Sequence, residues 1–176
     1  WKLWRQARDV IAAARAHGIA FGLPASPHTL SLEASNDGRR ILASGDDGIV
    51  RIHDLGRRTT REVADVKMPV QARFADGERT IVLFGGARVI AVDVASGTRR
   101  EIAAPAPVAA LEVSGPIAYW TDTTGALWKL DLAGNVPLQV PLDEAVRALA
   151  PSPDGRWIAI AGHDHLRVLD RTRMLA

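Results

Sequence analysis

The sequence predicts an all-β protein in which one supersecondary unit is repeated four times. An Asp closes an alternating apolar strand pattern four times, at steps of 39, 38 and 39 residues. Turn glycines keep nearly the same step, with spacings of 39, 38 and 40 residues. Two markers in phase, with a period of about 40 residues, are typical of propeller blades or of another repeat array. The markers are Asp54, Asp93, Asp131 and Asp170, and Gly38, Gly77, Gly115 and Gly155.

The region before the repeats predicts a helix followed by a linker. Residues 1–18 are rich in Ala and Arg, contain no Pro, and end at Gly18, which is a good helix stop. This helix either packs on its neighbour or serves as an inter-domain or membrane-proximal connector, because Trp and basic residues cluster at Trp1–Arg5 as they do at bilayer interfaces. Residues 19–28 are predicted to be irregular, since Gly22, Pro24 and Pro27 interrupt regular structure.

Each repeat predicts four antiparallel strands, as the first one illustrates. Its strands are predicted at Thr29–Ala34, Ile41–Ser44, Ile49–Asp54 and Thr59–Val63, with a glycine turn after the first. The second strand is continuously apolar, which favours burial on both faces, whereas the fourth is polar and is expected to face water. This grading fits radial four-stranded blades. The predicted blades are 29–67, 68–106, 107–144 and 145–176.

The other blades predict strands at matching places. First strands are predicted at Val70–Ala75, Val108–Val113 and Val146–Ala150, and second strands at Ile81–Phe84, Ile117–Trp120 and Ile158–Ala161. Third strands are predicted at Val89–Asp93, Leu127–Asp131 and Leu166–Asp170. Fourth strands are predicted at Thr98–Ile102 and Val136–Val140.

Composition favours a soluble globular chain and excludes several kinds of site. The 176 residues are 47% hydrophobic and 24% charged, with a net charge of +2, so no strongly basic nucleic-acid surface is expected. The chain has no Cys, which excludes disulfides, thiolate nucleophiles and Cys-type zinc sites. It contains no transmembrane-length apolar run, so we expect membrane contact only through a flanking segment. The location stays open, with the cytoplasm favoured.

Two units carry a family resemblance. The stretch from Ser35 to Asp54 resembles the WD40 repeat almost position by position, although His53 stands where Trp is usual. Ser152–Gly162 is nearly as good a match, and the two middle units agree in phase and apolar pattern. The resemblance covers residues 29–176. It implies a β-propeller that is a non-catalytic platform for protein or peptide recognition, without a cofactor.

The number of units raises the question of ring closure. WD40-like rings usually have seven blades, which need about 270 residues, whereas this chain has room for four. An open arc would expose two apolar flanks. We therefore expect either a fragment of a longer ring, a ring completed by another subunit or copy, or a small closed propeller. The Trp at position 1 favours a piece of a longer protein, and the Arg-rich, degenerate repeats resemble propellers attached to large bacterial signalling proteins.

No residue pattern predicts a catalytic, cofactor or metal site. His163-Asp164-His165 has metal-like spacing but lies at a predicted turn, and Asp46-Asp47-Gly48 lacks the alternating carboxylates of a calcium loop. The repeated acids are instead interpreted as structural turn and strand-end residues. In the family, the position of Asp47 organises a buried hydrogen-bond network. The structural set is Asp47, Asp54, Asp93, Asp131 and Asp170.

Paired arginines and two tryptophans are the candidate contact residues for a protein or peptide. They are Arg39, Arg40, Arg57, Arg58, Arg99, Arg100, Trp120 and Trp128. Two other function classes stay open. An enzyme or metal-dependent propeller would bring carboxylates or His together at the ring axis, where the innermost strands carry Glu33, Arg73, Glu112 and Arg147. Nucleic-acid binding would use the arginine pairs and would weaken steeply with salt.

Overall fold

The computed structural model describes residues 12, 16, 18, 21–134, 136–152 and 154–171. The helix predicted over residues 1–18 therefore lies almost entirely outside the described residues, as do residues 172–176 at the end of the predicted fourth unit. Within the described part, no helix is long and apolar enough to cross a bilayer.

Fifteen described strands form four antiparallel sheets that follow one another along the chain. Each sheet is a blade whose strands lie in sequence order, four in the first three blades and three in the fourth. The bounds are β1 Thr29–Ala34, β2 Arg40–Gly45, β3 Ile49–Asp54 and β4 Thr59–Asp65; β5 Gln71–Ala75, β6 Thr80–Gly85, β7 Arg88–Asp93 and β8 Arg99–Ala103; β9 Val108–Ser114, β10 Ile117–Asp122, β11 Leu127–Asp131 and β12 Leu138–Val140; and β13 Ala148–Pro151, β14 Trp157–Ala161 and β15 Leu166–Asp170. A short 3-10 turn, Asp76–Glu78, follows β5.

The predicted all-β propeller architecture is confirmed, and β1, β3, β11 and β15 have the predicted bounds. Other strand starts differ for local reasons. β12 begins at Leu138 rather than Val136, because Pro137 has no N–H to donate to the ladder. β5 begins after Val70, because the Val70 N–H donates to the Gly45 carbonyl of the first blade (3.2 Å). β13 likewise begins at Ala148, two residues later than predicted.

The hydrophobic core lies between the blades and forms three layers. The first joins Leu42 and Ile52 of the first blade to Ile81 and Leu83 of the second. The next two layers join the second blade to the third and the third to the fourth. Because strand side chains alternate between the two faces of a sheet, an interior blade supplies residues to two layers. This explains why the β6 residues Ile81–Phe84 are all buried.

The outer strands are more buried than the sequence predicts. They were expected to face water, yet Ala64, Ile102 and Val140 are buried. One side of each outer strand points at the next blade, so its alternate residues complete an inter-blade layer. Outer-strand arginines also bond across this boundary, since Arg61 donates to the Val94 carbonyl of the second blade (2.9 Å).

A repeated backbone hydrogen bond joins each blade to the next. A valine at or just before the start of the next blade's first strand donates its N–H to the carbonyl of a glycine at or just after the end of the preceding blade's second strand. The three bonds are Val70 N to Gly45 O (3.2 Å), Val108 N to Gly86 O (2.8 Å) and Val146 N to Gly125 O (2.8 Å). This bond and the apolar layers hold the innermost strands β1, β5, β9 and β13 side by side.

Candidate functional site

The ends of the four innermost strands converge on one cleft. Its volume is about 520 Å³, and every blade contributes to its lining. The first blade supplies Glu33, Ala34 and Asn36, the second Phe74, Ala75, Asp76, Gly77 and Glu78, the third Val113, Ser114 and Gly115, and the fourth Pro151 and Ser152. We call this the axial cleft. It is the place where the repeat brings all four described units to a shared surface.

The turn of the second blade forms one wall of the axial cleft and is bonded to both neighbouring blades. Asp76 donates its N–H to the Gly115 carbonyl (2.9 Å). The Glu78 carboxylate accepts the Asn36 N–H (2.9 Å) and pairs with Arg40. Three consecutive residues, Asp76 to Glu78, have φ between 47° and 68°, a left-handed conformation that only Gly adopts freely. The surrounding bonds therefore fix the direction of this acidic turn.

The innermost strands of successive blades carry acidic and basic side chains in turn. These side chains bond to the neighbouring strands. Glu33 accepts the Phe74 N–H (2.7 Å), and Arg73 donates to Glu112 (3.4 Å). Burial raises the pKa of Glu33 above its ordinary value, and the Phe74 N–H and the Arg73 charge oppose this effect. Arg147 lies just before β13, outside the strand to which it was assigned, and its N–H donates to the Ala161 carbonyl (2.8 Å).

The repeated strand-end acids Asp54, Asp93 and Asp131 accept hydrogen bonds from the turns that follow them. Asp54 accepts the Arg57 N–H (2.8 Å), Asp93 accepts the Ser96 N–H (2.7 Å), and Asp131 accepts the Ala133 N–H (2.9 Å). The Ser96 N–H and hydroxyl together lower the pKa of Asp93. Asp170 lies 3.9 Å from Arg156 in the fourth blade. These carboxylates lie at the outer part of the blades, away from the axial cleft.

Asp47 organises the turn between β2 and β3 with an arginine partner. It accepts the Ile49 N–H (3.1 Å) and a hydrogen bond from Arg51 Nη1 (2.8 Å). Burial favours the neutral acid, but the Arg51 and Ile49 bonds prevail and lower the pKa of Asp47. The turn of the first blade therefore has a polar network in which Arg51 is the main side-chain donor.

Asp122 organises the corresponding turn of the third blade, and the sequence analysis missed it. Asp122 is 4% exposed, and its carboxylate accepts the Thr124 N–H (2.8 Å), the Ala126 N–H (3.1 Å) and the Trp128 indole N–H (2.8 Å). The spacing Asp122-Thr-Thr-Gly125 between two apolar strands was the signal that could have identified it. Packing is thus supplemented by a buried polar network in this blade.

Comparison with known proteins agrees with the repeat architecture. The family model for the WD domain, G-beta repeat, matches residues 25–54 and 137–167. These are the first and last units, which carry the closest sequence resemblance. The chain thus carries WD40 repeats in its first and last units and has the fold of a β-propeller. No curated protein matches it by sequence.

Two solved structures share the overall fold of this chain at low sequence identity. The Cps50 (Swd1) β-propeller domain of Myceliophteria thermophila aligns with a TM-score of 0.74 and 18% identity, over 87% of this chain and 55% of that one. Dihydro-heme d1 dehydrogenase NirN, in complex with DHE, aligns with a TM-score of 0.69 and 16% identity, over 86% of this chain and 36% of that one. This WD40 chain therefore spans about half the length of the Cps50 propeller domain.

The arginine pairs of the WD40 blades mostly bind within the chain. Arg40 pairs with Glu78, and Arg58 stacks 4.9 Å from the Phe21 ring centre. Arg99 donates to the Asp65 carbonyl (2.7 Å) of the first blade, and Arg100 donates to the Ala133 carbonyl (3.2 Å) of the third. These four arginines therefore connect segments and blades.

The two remaining arginines lie on the outer surface. Arg39 and Arg57 line a shallow depression beside Asp54 and Gly56 at one end of the first blade. Arg57 is bonded to Asp54 (3.4 Å) through Nη1. The six arginines predicted as contact residues therefore do not form one continuous basic surface.

The two tryptophans predicted as contact residues lie within the blades. Trp120 is fully buried between the second and third blades, so it offers no surface to a partner. Trp128 is partly buried and its indole N–H is bonded to Asp122. Among the tryptophans that the structure describes, the exposed one is Trp157 in the fourth blade, which is 37% exposed and stacks with Arg156 at 4.7 Å.

The histidines in the turn before β15 point to different acids. His163 Nδ1 lies 2.6 Å from Asp164, and His165 Nδ1 lies 4.0 Å from Glu144. Among the residues that the structure describes, no group of three or more His, Asp or Glu side chains is arranged to hold a metal ion.

Proposed function

We propose that this WD40 propeller is a non-catalytic platform that binds a protein or peptide through the axial cleft. The observation that carries the proposal is that all four described blades line one cleft of about 520 Å³. Its described lining contains three carboxylates, Glu33, Asp76 and Glu78, and no Lys or Arg. A concave site with one sign of charge favours ligands of the opposite sign. The expected ligand is therefore an extended segment that presents Lys or Arg.

The chemistry of the inner strands supports binding rather than catalysis. Glu33 is held by the Phe74 N–H and Glu112 by Arg73. Each carboxylate thus has its own hydrogen-bond partner, and among the described residues neither is hydrogen-bonded to a nucleophile or to a second acid, as a general acid and base would be. We do not favour nucleic acid, because Arg40, Arg58, Arg99 and Arg100 are engaged within the chain.

The test compares peptides of equal length that differ only in charge. Fluorescence anisotropy would measure binding of Lys/Arg-rich and Asp/Glu-rich labelled peptides to the intact chain. We expect basic peptides to bind, and we expect their affinity to fall as salt is added. The double change Glu33→Gln and Asp76→Asn should weaken this binding by about tenfold. Glu101→Gln, at an exposed outer-strand acid paired with Arg88, is the matched control and should leave it unchanged.

Two results would contradict the binding proposal. One is equal binding of acidic and basic peptides, and the other is an equal loss with the Glu101→Gln control. Preferential binding of single-stranded DNA over every peptide would instead support the nucleic-acid alternative, with a steep dependence on salt.

We further propose that the platform is part of a larger bacterial signalling protein, with its remaining blades supplied by the same polypeptide or by another subunit. The alignment covers 55% of the Cps50 propeller domain, which supports further blades, and the Arg-rich, degenerate repeats favour the bacterial signalling context. The intact mass of the polypeptide from its natural source tests this. A mass far above 18.9 kDa would support one longer polypeptide, and a mass of that size would require blades from another subunit.

A further inference from the structure

The turn between the first and second strands has the same length in the first, second and fourth blades but a different sequence in the second. Six residues lie between corresponding strand pairs, which are Ala34 with Ile41, Phe74 with Ile81, and Pro151 with Ile158. The first and fourth turns begin with Ser-x-Asp-Gly, whereas the second begins with Ala-Asp-Gly-Glu. The Asp-Gly pair of the second blade therefore lies one residue earlier than its counterparts.

In the first and fourth blades, the Asp of this turn is bonded within its own turn. Asp37 accepts the Arg39 N–H (3.0 Å) and the Ser35 hydroxyl (2.6 Å). Asp154 makes the same two kinds of bond in the fourth blade. Asp commonly bonds the backbone N–H two residues later in this way. The charge of both acids is therefore committed to closing a turn.

Asp76 of the second blade is not committed in this way. Ala75 offers no hydroxyl at the position of the turn serine. The Asp76 N–H donates to the Gly115 carbonyl (2.9 Å), and the Asp76 carbonyl accepts the Arg79 N–H (3.2 Å). These bonds use only the backbone of Asp76, so among the described residues its carboxylate is left for a ligand. Asp76 lines the axial cleft, whereas Asp37 lies outside the lining.

Glu78 occupies the position that Gly38 and Gly155 fill in the other two turns. The three residues have nearly the same left-handed backbone, with φ of 68°, 68° and 67°. This conformation is unfavourable for a residue with a Cβ. Glu78 is held in it because its carboxylate accepts the Asn36 N–H (2.9 Å) and pairs with Arg40 of the first blade. The contact between the two blades therefore fixes the turn that lines the cleft.

The third blade has a shorter turn, which leaves room beside Asp76. Four residues lie between Val113 and Ala118, the strand pair that corresponds to the pairs in the other blades, so the turn is two residues shorter. Ser114 and Gly115 of this short turn line the axial cleft opposite the second blade. The difference in turn length thus gives a ligand access to the Asp76 carboxylate.

We propose that Asp76 is the residue that recognises the Lys or Arg side chain of a ligand bound in the axial cleft, and that Glu78 is a positioning residue that holds the Asp76 turn. The other two acids of the lining have internal partners, since Glu33 accepts the Phe74 N–H (2.7 Å) and Glu78 pairs with Arg40. A carboxylate without such a partner gains more from a bound cation, because no internal bond has to be broken. This inference rests on the binding proposed for the axial cleft and adds which of its three acids recognises the ligand.

The first test reverses the charge of Asp76 and asks whether the ligand preference reverses. Fluorescence anisotropy measures binding of the labelled Lys/Arg-rich and Asp/Glu-rich peptides to the intact chain. Asp76→Asn should weaken binding of the basic peptide about fivefold, and Glu33→Gln less than about twofold. Asp76→Lys should bind the acidic peptide at least about tenfold more tightly than the wild type does. Glu101→Lys makes the same change of net charge on an exposed outer strand and should leave the preference for basic peptides unchanged.

The outcomes separate this inference from the proposed function. If the wild-type chain shows no preference for the basic peptide, the binding proposal fails and the assignment of Asp76 fails with it. If the wild-type chain prefers the basic peptide but Asp76→Lys changes that preference no more than Glu101→Lys does, the assignment of Asp76 alone is overturned.

The second test separates a positioning role of Glu78 from direct recognition. In Glu78→Gln the amide oxygen can still accept the Asn36 N–H and a bond from Arg40, so binding of the basic peptide should stay within about twofold of wild type. Glu78→Gly removes these bonds but restores the residue found in the first and fourth blades. We expect it to bind about fivefold more weakly, with an unchanged or higher urea midpoint, because Gly adopts the left-handed backbone without strain.

Two results would overturn the positioning role of Glu78. A loss in Glu78→Gln equal to that in Asp76→Asn would show that Glu78 recognises the charge of the ligand directly. Undiminished binding in Glu78→Gly would show that the Asp76 turn keeps its direction without the contact to the first blade.

Discussion

The second and fourth blades share a strand pattern but differ in the surroundings of their side chains. Val89 and Leu166 occupy corresponding places at the start of the third strand, yet Val89 is 0% exposed and Leu166 is 74% exposed. The second blade has a blade on each side, whereas the fourth has one on a single side within the described residues. An apolar alternation thus determines which face a residue occupies, and the neighbouring blade determines whether that face is buried.

The largest expected effect comes from placing the same charge at both positions. Val89→Asp would bury a carboxylate in the layer between the second and third blades, and we expect it to lower the free energy of unfolding by more than about 4 kcal/mol. Leu166→Asp should change it by less than about 0.5 kcal/mol, since the side chain meets solvent. Urea unfolding of the two variants measures the contrast. Similar losses in both would show that Leu166 is covered in the isolated chain.

The polar turns between the second and third strands of the third and fourth blades give a second comparison, with a smaller expected effect on stability. Asp122→Asn removes the charge from a buried acceptor of several hydrogen bonds in the third blade, and we expect a loss of about 1–2 kcal/mol. Asp164→Asn makes the same change in the corresponding turn of the fourth blade, where the side chain is 73% exposed, and its effect should be close to zero. Urea unfolding and the near-ultraviolet signal of Trp128 report both. Equal effects would show that burial of the turn does not matter.

The acid side of the pH profile follows from the same carboxylate. Burial opposes ionisation of Asp122, but its bonds to Thr124 and Trp128 prevail and lower its pKa below the ordinary 3.8. The unfolded chain then takes up the proton first, so this stabilisation is complete above the ordinary pKa and disappears as pH falls through the lower folded-state value. The stability difference between wild type and Asp122→Asn should therefore be constant from pH 7 to 5 and shrink below pH 4. A difference that grows on acidification would contradict the assignment.

Much of the fold could be predicted because the repeat is encoded locally. Alternation of apolar residues and glycine turns located every described strand to within two or three residues, including β3 and β15. Strand starts that depend on tertiary bonds, such as the one after Val70, could not be read in this way. The same limit applies to the outer strands, since burial of Ile102 depends on the third blade, which a single-strand pattern does not reveal.

The candidate site was harder to predict, because it is assembled from turns that are distant in sequence. Blade packing brings Glu33, Asp76 and Ser152 together in the axial cleft, and their local sequences do not predict this. The arginine pairs were conspicuous in the sequence, but Arg99 and Arg100 bind carbonyl groups of neighbouring blades. Asp122 was not identified because the sequence of its turn does not match that of the first unit, although its role in the turn is similar to that of Asp47.

The smallest expected difference concerns these arginines and tests whether they join the interior blades. Arg100→Ala removes a bond from the second blade to the Ala133 carbonyl of the third, and a loss of about 0.5–1.5 kcal/mol is expected. Arg156→Ala in the fourth blade removes a long ion pair to Asp170 and a solvent-facing stack on Trp157, and it should cost less than about 0.5 kcal/mol. Added salt should reduce the Arg156 effect further but leave most of the Arg100 effect, because its acceptor is an uncharged carbonyl. If both effects vanish in salt, Arg100 acts through surface charge, and apolar layers alone would join the interior blades.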